Sequence, residues 1–274
     1  MTCIEKTRHS FYKVKIHQQK ISGVLHQAHS AKQYQLRRYL PAPSVSNLVE
    51  QFWLVDWDLT NSASHTQENL PDPNMHLVID SEGCRVMGPV SKKYSYKMTN
   101  KARVVGVKFN IGVLAKQLSR PMSQAVDKTL SLEEVFQHHI ELISNTAFTK
   151  LDDQAMLTKL SDFLVLQSFT NSPTLLRVQR LITTIKEHHS ITKVEQLAQQ
   201  SNMSVRSIQR LFEEYVGLSP KWLIRKYRLR RALDLLEAKQ ATLTELAAQL
   251  DYSDQSHLIR DFKVFLNITP SQYR

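Results

Sequence analysis

The stretch from Ile191 to Pro220 reads ITKVEQLAQQSNMSVRSIQRLFEEYVGLSP, and its pattern predicts two short helices joined by a tight turn. Thr192 and Glu195 have the spacing of a capping box, in which a hydroxyl and a carboxylate satisfy free amides of the first helical turn. Asn202 tolerates the left-handed conformation in which helices often end, and Ser204 can cap the second helix. We therefore expect a helix, a turn and a second helix.

The second of these helices separates an apolar face from a polar one. Residues at i, i+3 and i+4 spacing predict the buried face: Ile208, Leu211, Phe212 and Tyr215. Arg206, Gln209 and Arg210 share another face. Arginine can bond guanine and glutamine can bond adenine in the major groove, so this face has the chemistry of a DNA recognition helix. A solvated surface helix would carry the same charges, so the face alone leaves both interpretations open.

A second copy of the pattern favours the DNA-binding interpretation. Thr242–Pro270 reads TLTELAAQLDYSDQSHLIRDFKVFLNITP and begins with a capping box of Thr242 and Glu245. In this alignment Asp251 takes the place of Asn202 and Ser253 that of Ser204. A one-residue slip in the second helix then matches these pairs: Ile208 with Leu258, Arg210 with Arg260, Phe212 with Phe262, and Ser219-Pro220 with Thr269-Pro270. Repetition at a fixed spacing indicates duplicated structural units.

The region from about residue 175 to the end resembles the double helix-turn-helix domain of AraC/XylS-type bacterial transcription regulators. The resemblance rests on four segments: Met203–Phe212, Gly217–Pro220, Tyr252–Phe262 and Thr269–Tyr273. Asn267 stands where the family usually has glycine, but asparagine tolerates a positive φ. The resemblance implies a sequence-specific transcription regulator with double-stranded DNA as its partner. RNA polymerase, a small-molecule effector and a second copy of the chain are further candidate partners.

The two recognition helices are not expected to read DNA equally well. The predicted base-reading residues are Arg206, Gln209 and Arg210 in the first helix and Gln255, Ser256, Ile259 and Arg260 in the second. Ile259 cannot form a hydrogen bond, although it could touch a thymine methyl group. We therefore expect the second helix to position the protein more than it selects sequence.

A helix over Pro220–Ala238 is predicted between the two units, because proline suits a first helical turn and the rest consists of strong helix formers. Its length of roughly 28 Å could hold two recognition helices about one DNA turn, ~34 Å, apart. We expect about half of its basic side chains to contact phosphates. The predicted phosphate contacts are Ser204, Lys221, Arg225, Arg228 and Ser253.

The net charge of +11 is distributed unevenly, as +7 in residues 1–40, −2 in 41–171 and +6 in 172–274. This distribution, with the turn-rich SFTNSP at residues 168–173, predicts three parts. They are a basic arm with the first strand (1–40), an effector domain with a helical layer (41–171) and a DNA-binding domain (172–274). The arm could touch DNA, or could be a solubilising terminus. Apolar runs fall short of the ~20 residues of a membrane helix and the N-terminus lacks a signal-peptide core, so we expect a cytoplasmic protein without membrane contact.

The N-terminal half contains short runs typical of strands, bounded by turn formers: 52–59, 75–80, 84–90 and 104–109. Helical patterns follow at 112–118 and 132–169. The predicted fold class is an α+β domain, an antiparallel sheet or small barrel with flanking helices, followed by an all-α domain of two helix-turn-helix units joined by a long helix. Trp53, Trp57 and the Gly106–Phe109 element resemble the effector domain of one AraC-type subgroup.

Several interpretations of the N-terminal half stay open at the sequence level. Candidate effector-binding residues are Trp53, Trp57, His76, Arg103, Lys108 and Phe109, although such aromatic residues could equally fill the sheet core. A cupin-like metal-dependent enzyme would use His65, Asp72 and His76, but their spacing is not that of a metal site, and we expect no metal and no cofactor. A DNA-repair acceptor needs a multi-cysteine zinc site, and the chain has two cysteines. A domain that only dimerises is a third interpretation.

Overall fold

The computed structural model describes residues 32–143, 150–169, 171–238 and 242–273. Most of the predicted basic arm therefore lies outside the described residues. The described part of that segment contains the first strand, Gln35–Tyr39.

An antiparallel sheet forms the N-terminal half. The strands are β1 Gln35–Tyr39, β2 Val49–Asp58, β3 His65–Asn69, β4 His76–Asp80, β5 Gly83–Met87, β6 Tyr94–Met98, β7 Lys101–Phe109 and β8 Thr129–Leu130. Six strands pair in the order β1-β2-β7-β4-β5-β8, while β3 and β6 pair with each other. The four predicted strand runs are confirmed as β2, β4, β5 and β7, and the antiparallel fold class is confirmed.

The two faces of the large sheet pack against different parts of the protein, because side chains alternate along each strand. Phe52 and Leu54 of β2 point into a core shared with the helices, as do Val105 and Val107 of β7. Trp57 points to the opposite face, where a smaller apolar cluster contacts the β3–β6 ribbon. Alternation therefore leaves space between sheet and ribbon that helix packing does not fill.

The helical predictions for this half were partly wrong. Residues 111–117 form turns and not a helix, since Gly112 begins the segment with φ of 85° and Pro121 closes it. Within 132–169 the structure has a short 3-10 turn at Ile140–Leu142 and helix α1 at Asp153–Val165, whose first turn is capped by Asp152. Residues 144–149 of that prediction lie outside the described part.

The C-terminal half is helical, as predicted. Its helices are α2 Pro173–Glu187, α3 Val194–Ser201, α4 Val205–Tyr215, α5 Pro220–Glu237, α6 Leu243–Gln249, α7 Gln255–Leu266 and α8 Pro270–Tyr273. Asn202, Asp251 and Asn267 have φ of 53°, 56° and 57°, which confirms the left-handed positions in the turns. Thr242 and Glu245 form the predicted capping box of α6.

The predicted capping box of α3 was wrong by one residue, and the alignment of Ser253 with Ser204 is also shifted by one residue at α7. At α3 the acceptor is Gln196 and not Glu195, because the Gln196 Oε1 atom accepts from the backbone amides of Thr192 and Lys193, each at 2.8 Å. At α7 the cap is Asp254 and not Ser253, since Asp254 Oδ1 accepts from the amide of His257 at 2.7 Å. The extra residue of the second unit therefore lies in its turn and not in its helix.

The apolar core continues from the sheet into the first helix-turn-helix unit, through α2, α3, α4 and the start of α5. Gly217 permits this contact: a side chain there would meet the carbonyl oxygen of Met122 at 2.8 Å. The second unit has its own core, built on α6, α7 and the end of α5. The two helix-turn-helix units therefore pack on different clusters, at the two ends of the shared helix α5.

Candidate DNA-binding face and effector pocket

The first recognition helix, α4, presents the predicted polar face. Ile208 and Phe212 are fully buried, whereas Arg206, Gln209 and Arg210 are all exposed on the other side of the helix. Ser204 caps α4 by accepting from the amide of Ser207 at 3.1 Å. Three long donors are thus held on a capped helix whose other face is fixed by the core.

The second recognition helix, α7, differs in ways that weaken it as a reader of bases. Gln255, Ser256 and Arg260 are exposed, but Ile259 is partly buried. The cap is a carboxylate where α4 has a hydroxyl, and the hydrogen bond from His257 holds the pKa of Asp254 below its usual value. Asp254 is therefore anionic at neutral pH, which opposes the approach of a phosphate to this helix end.

The predicted phosphate contacts occupy two kinds of environment. Ser204, Lys221 and Ser253 are exposed. Arg228 is buried, with its guanidinium 3.9 Å from the centre of the Tyr252 ring and its Nη1 atom 3.2 Å from the Asp251 carbonyl. Arg225 is turned inward to a carboxylate of α7. Arg225 and Arg228, predicted to contact phosphates, are held inside the domain instead, because Arg225 Nε and Nη2 and Arg228 Nη1 donate to internal acceptors.

Asp261 organises this internal cluster and was missed by sequence analysis. Its carboxylate is fully buried and accepts from Arg225 Nε and Nη2, at 2.9 and 2.6 Å, and from the Tyr252 hydroxyl at 3.0 Å. Arg228 Nη2 lies 3.8 Å away. These contacts tie the long helix α5 to the second recognition helix. An acid on the apolar face of α7, among Leu258, Phe262 and Phe265, was the available signal.

A cavity of about 270 Å³ lies between the large sheet and the β3–β6 ribbon. Its wall includes four of the six predicted effector residues: Trp53, Trp57, His76 and Lys108. Tyr34, Met87, Tyr94 and Tyr96 add further apolar and aromatic surface. Mostly apolar walls with a few polar groups are typical of small-molecule sites.

Trp53 and Gly106 explain one motif of the cavity wall. The two residues are direct neighbours on β2 and β7, and a side chain at Gly106 would lie 1.9 Å from the Trp53 ring. The absence of that side chain lets the indole lie flat against the strand, where Trp53 Nε1 donates to His76 Nδ1 at 3.2 Å. The glycine of the Gly106–Phe109 element therefore shapes the pocket.

The remaining two predicted effector residues have structural roles, so their assignment to the pocket was wrong. Phe109 is fully buried on the helix-facing side of the sheet, with its ring centre 6.2 Å from that of Phe136. Arg103 pairs with Asp56 and donates to the Leu151 carbonyl at 2.9 Å, which holds the segment before α1 against the sheet. Strand alternation places both side chains away from the cavity.

Lys108 lies in the cavity wall and belongs to an ionic cluster. Its Nζ atom lies 3.1 Å from both Glu50 Oε1 and Asp72 Oδ2. Burial opposes ionisation of Asp72, but Lys108 and the hydrogen bond from His76 hold its pKa well below the ordinary value. The cluster is therefore charged at neutral pH.

The cavity wall touches the second helix-turn-helix unit. Leu70 lines the cavity and is also part of the core of that unit. In the following segment, the Ser91 carbonyl accepts from Trp222 Nε1 at 3.2 Å, and the amide of Lys93 donates to the Phe265 carbonyl at 3.0 Å. The pocket wall and both helices α5 and α7 are thus in direct contact.

Comparison with known proteins agrees with this geometry. Residues 197–274 match a family described as a helix-turn-helix domain, and residues 37–131 match a domain of unknown function, DUF6597. A probable transcription factor of Proteus vulgaris, PqrA, is 30% identical over 82 residues, covering 30% of this chain and 67% of PqrA. The chain belongs to the AraC/XylS type of transcription regulators.

Other relatives of this AraC/XylS-type chain match about a third of it. The F1 operon positive regulatory protein of Yersinia pestis is 35% identical over 99 residues, covering 35% of this chain and 33% of that protein. An HTH-type regulator of Haemophilus influenzae is 32% identical over 94 residues, covering 34% of this chain and 32% of the relative. The chain thus spans about a third of the length of these two relatives.

Solved structures similar to this AraC/XylS-type chain include several of one protein, ToxT, that cover most of it. ToxT of Vibrio cholerae is 11% identical and covers 88% of this chain and 97% of its own, with a TM-score of 0.40. The C-terminal domain of AraT of Geobacillus stearothermophilus is 28% identical over 38% of this chain and 84% of its own, with a TM-score of 0.34.

Among the residues that the structure describes, the helices are too short or too polar to cross a membrane.

Proposed function

We propose that this chain is a sequence-specific DNA-binding transcription regulator whose two recognition helices enter successive major-groove segments. The observation that carries the proposal is the pair of helix-turn-helix units joined by the 18-residue helix α5. At 1.5 Å per residue this helix is about 27 Å long, which suits two helices spaced by one DNA turn. Because a bacterial regulator of this type meets its DNA in the cytoplasm, we propose that location for this chain.

In this proposal α4 selects sequence and α7 mainly positions the protein. Arg206, Gln209 and Arg210 are exposed donors suited to guanine and adenine edges. Gln255, Ser256, Ile259 and Arg260 form the weaker second face. Ser204, Lys221 and Ser253 remain candidates for phosphate contacts, because all three are exposed.

Arg210→Ala tests the base-reading role. It should weaken binding to the selected site by ~1–3 kcal/mol and relax the preference at one base pair. Lys221→Ala, a candidate phosphate contact, should instead weaken binding to all sequences alike and reduce the salt dependence. Fluorescence anisotropy with the selected site and its single-base variants measures both effects. A uniform loss for Arg210→Ala would assign that residue to the backbone.

We further propose that the 270 Å³ cavity senses a small apolar molecule. An effector must bind one conformation better than another to change DNA affinity, and a coupling of ~1–3 kcal/mol would change it roughly 5- to 150-fold. The contacts of Leu70 and of the 91–93 segment with α5 and α7 supply a direct route from the cavity to the DNA-binding helices. RNA polymerase and a second copy of the chain remain candidate partners of such a regulator.

Trp57→Leu tests the sensing role. Trp57 is nearly buried, and its Nε1 atom donates to the Thr99 carbonyl at 3.0 Å. If the indole is a ligand contact, the variant should stay folded and bind DNA but lose its response to an inducer identified by a compound screen. A melting temperature lower by many degrees, with the response retained in the folded fraction, would show that Trp57 only fills the core.

We also propose that the chain is not an enzyme. The side chains of a cupin-like metal site are otherwise engaged: His76 Nδ1 accepts from Trp53, and His76 Nε2 faces Asp72 Oδ2 at 3.6 Å. His65 contacts Gln67 in the ribbon at 3.4 Å. Metal analysis of the purified protein tests this, and stoichiometric zinc or iron would favour the metal-dependent enzyme.

A further inference from the structure

A second cavity, of about 210 Å³, lies between the N-terminal sheet and helix α5. Its wall differs in chemistry from that of the first cavity, because charged side chains dominate it. The charged residues of this wall are Lys108, Lys186, Lys226 and Arg230 on the positive side and Glu50 and Asp72 on the negative side. The wall therefore carries an excess of two positive charges.

Both carboxylates of the wall already form ion pairs. Each lies 3.1 Å from Lys108 Nζ, and Glu50 also accepts from Asn74 Nδ2 at 2.9 Å. Arg230 pairs with Asp234, with 3.4 Å between Nε and Oδ1. With Arg230 neutralised by Asp234, the three lysines exceed the two carboxylates by one positive charge. Among the described residues, Lys186 and Lys226 are the two lysines of this wall without a carboxylate partner.

Lys186 and Lys226 share one aromatic ring in place of a carboxylate. Their Nζ atoms lie 5.8 and 4.8 Å from the centre of the Tyr227 ring. Within the described ranges, neither ammonium has an acidic oxygen within 4 Å. Burial, together with the neighbouring Lys108 and Lys186, lowers the pKa of Lys226 to about 8 against the opposing effect of Asp72. Two unneutralised cations beside each other are costly unless an anion joins them.

We propose that this cavity binds a small phosphate-type dianion, held by Lys108, Lys186 and Lys226. A phosphate monoester carries about −1.5 to −2 charges at pH 7, enough to neutralise the two ammonium groups that have no carboxylate partner in the described part of the chain, and its oxygens can accept from several ammonium groups at once. The polar wall favours inorganic phosphate or a compact phosphorylated metabolite over an apolar ligand. This site shares Lys108 and Asp72 with the wall of the first cavity, but phosphate binding here does not require a ligand in that cavity.

The three lysines come from different parts of the fold. Lys108 is on β7 of the N-terminal domain, Lys186 is at the end of α2, and Lys226 is on the long helix α5. A dianion held by all three links the sheet to the helix that carries both DNA-binding units. Its binding therefore stabilises the arrangement of the two halves, by a free energy that rises with the logarithm of its concentration above Kd.

The test is isothermal titration calorimetry of inorganic phosphate into the full chain, with ionic strength held constant by chloride. We expect saturable binding at one site in the wild type. Lys226→Met should weaken it roughly tenfold or more, because a charge-assisted contact is lost. Lys186→Met, at an exposed position, should weaken it in the same direction. Lys263→Met removes an exposed lysine from α7 and should leave phosphate affinity unchanged.

Binding to random-sequence DNA distinguishes a free anion from the DNA backbone as the occupant. Lys226→Met should leave this binding unchanged, because the cavity faces the N-terminal sheet. The proposal is overturned if the wild type shows no saturable phosphate binding, or if the Lys226 and Lys186 variants bind phosphate as well as Lys263→Met. Loss of random-DNA binding in Lys226→Met would assign these charges to DNA and would equally overturn it.

Discussion

Replacing Asp261 with alanine should destabilise the second helix-turn-helix unit more than most single substitutions would. The carboxylate is fully buried and accepts three hydrogen bonds, two from Arg225 and one from Tyr252. Removal leaves Arg225 and the buried Arg228 without the anion that compensates them. Breaking a buried ion pair by removing one partner costs about 3–5 kcal/mol.

The size of the effect can be checked by thermal and denaturant unfolding of the full chain. A loss of about 3–5 kcal/mol corresponds to a decrease in Tm on the order of 10 °C for a protein of this size. Asp261→Asn keeps the shape and should lose less, since an amide oxygen can still accept one hydrogen bond. Asp234→Asn is the matched control: Asp234 is 42% exposed and pairs with Arg230 on the same helix, so its loss should cost at most about 1 kcal/mol.

Hydrogen exchange locates the effect, because the amides of α6 and α7 should lose protection before those of the sheet. DNA affinity should fall as well, since Asp261 joins α5 to the second recognition helix. The reasoning would be refuted if Asp261→Ala unfolded within about 1 kcal/mol of the wild type, as the surface control does.

Two further predictions concern the pocket and the domain boundary. Gly106→Ala should lower the free energy of unfolding by ~1–3 kcal/mol and shift the tryptophan fluorescence, because the added methyl group would meet the Trp53 ring at 1.9 Å. If neither unfolding nor emission changed, the ring would be free to move aside. Residues 172–274 alone should fold and bind DNA with strong salt dependence. The melting temperature of this fragment should be lower than that of the full chain, because α4 loses its contact with Met122–Ala125. An unfolded fragment would place the domain boundary elsewhere.

Features set by local chemistry could be predicted from the sequence. Asn202, Asp251 and Asn267 adopt the left-handed conformation because their short polar side chains tolerate it, whatever packs around them. Helix α5 begins at the predicted Pro220, and β2 and β7 follow the predicted branched and aromatic runs. These features depend on neighbours in sequence.

Features set by long-range contacts could not be predicted in this way. Strands β3 and β6, HTQEN and YSYKM, carry few apolar residues because they cover the pocket on one face only. Arg103 and Phe109 were assigned to the pocket because strand alternation was not followed to the correct face. Arg225 and Arg228 looked like surface charges, since their partner Asp261 is 36 and 33 residues away.

The capping residue of α3 was predicted wrongly for a similar reason. Glu195 and Gln196 can both reach back to the start of α3. Which of the two accepts the capping hydrogen bonds depends on where the helix begins. Thr192 helps to set that start by donating to Asp251 Oδ2 at 2.8 Å. That contact joins the two helix-turn-helix units, 59 residues apart. Local spacing alone could not choose between adjacent acceptors.

The central claim is that both helix-turn-helix units read DNA together, and a footprint tests it most directly. The purified chain would select its site from a pool of random duplexes, and hydroxyl-radical cleavage and methylation interference would map the contacts. We expect two contacted major-groove segments about 10 base pairs apart on one face, with strong base selection under α4 and weaker selection under α7. A failure to enrich any sequence, or a footprint of one segment only, would contradict the claim.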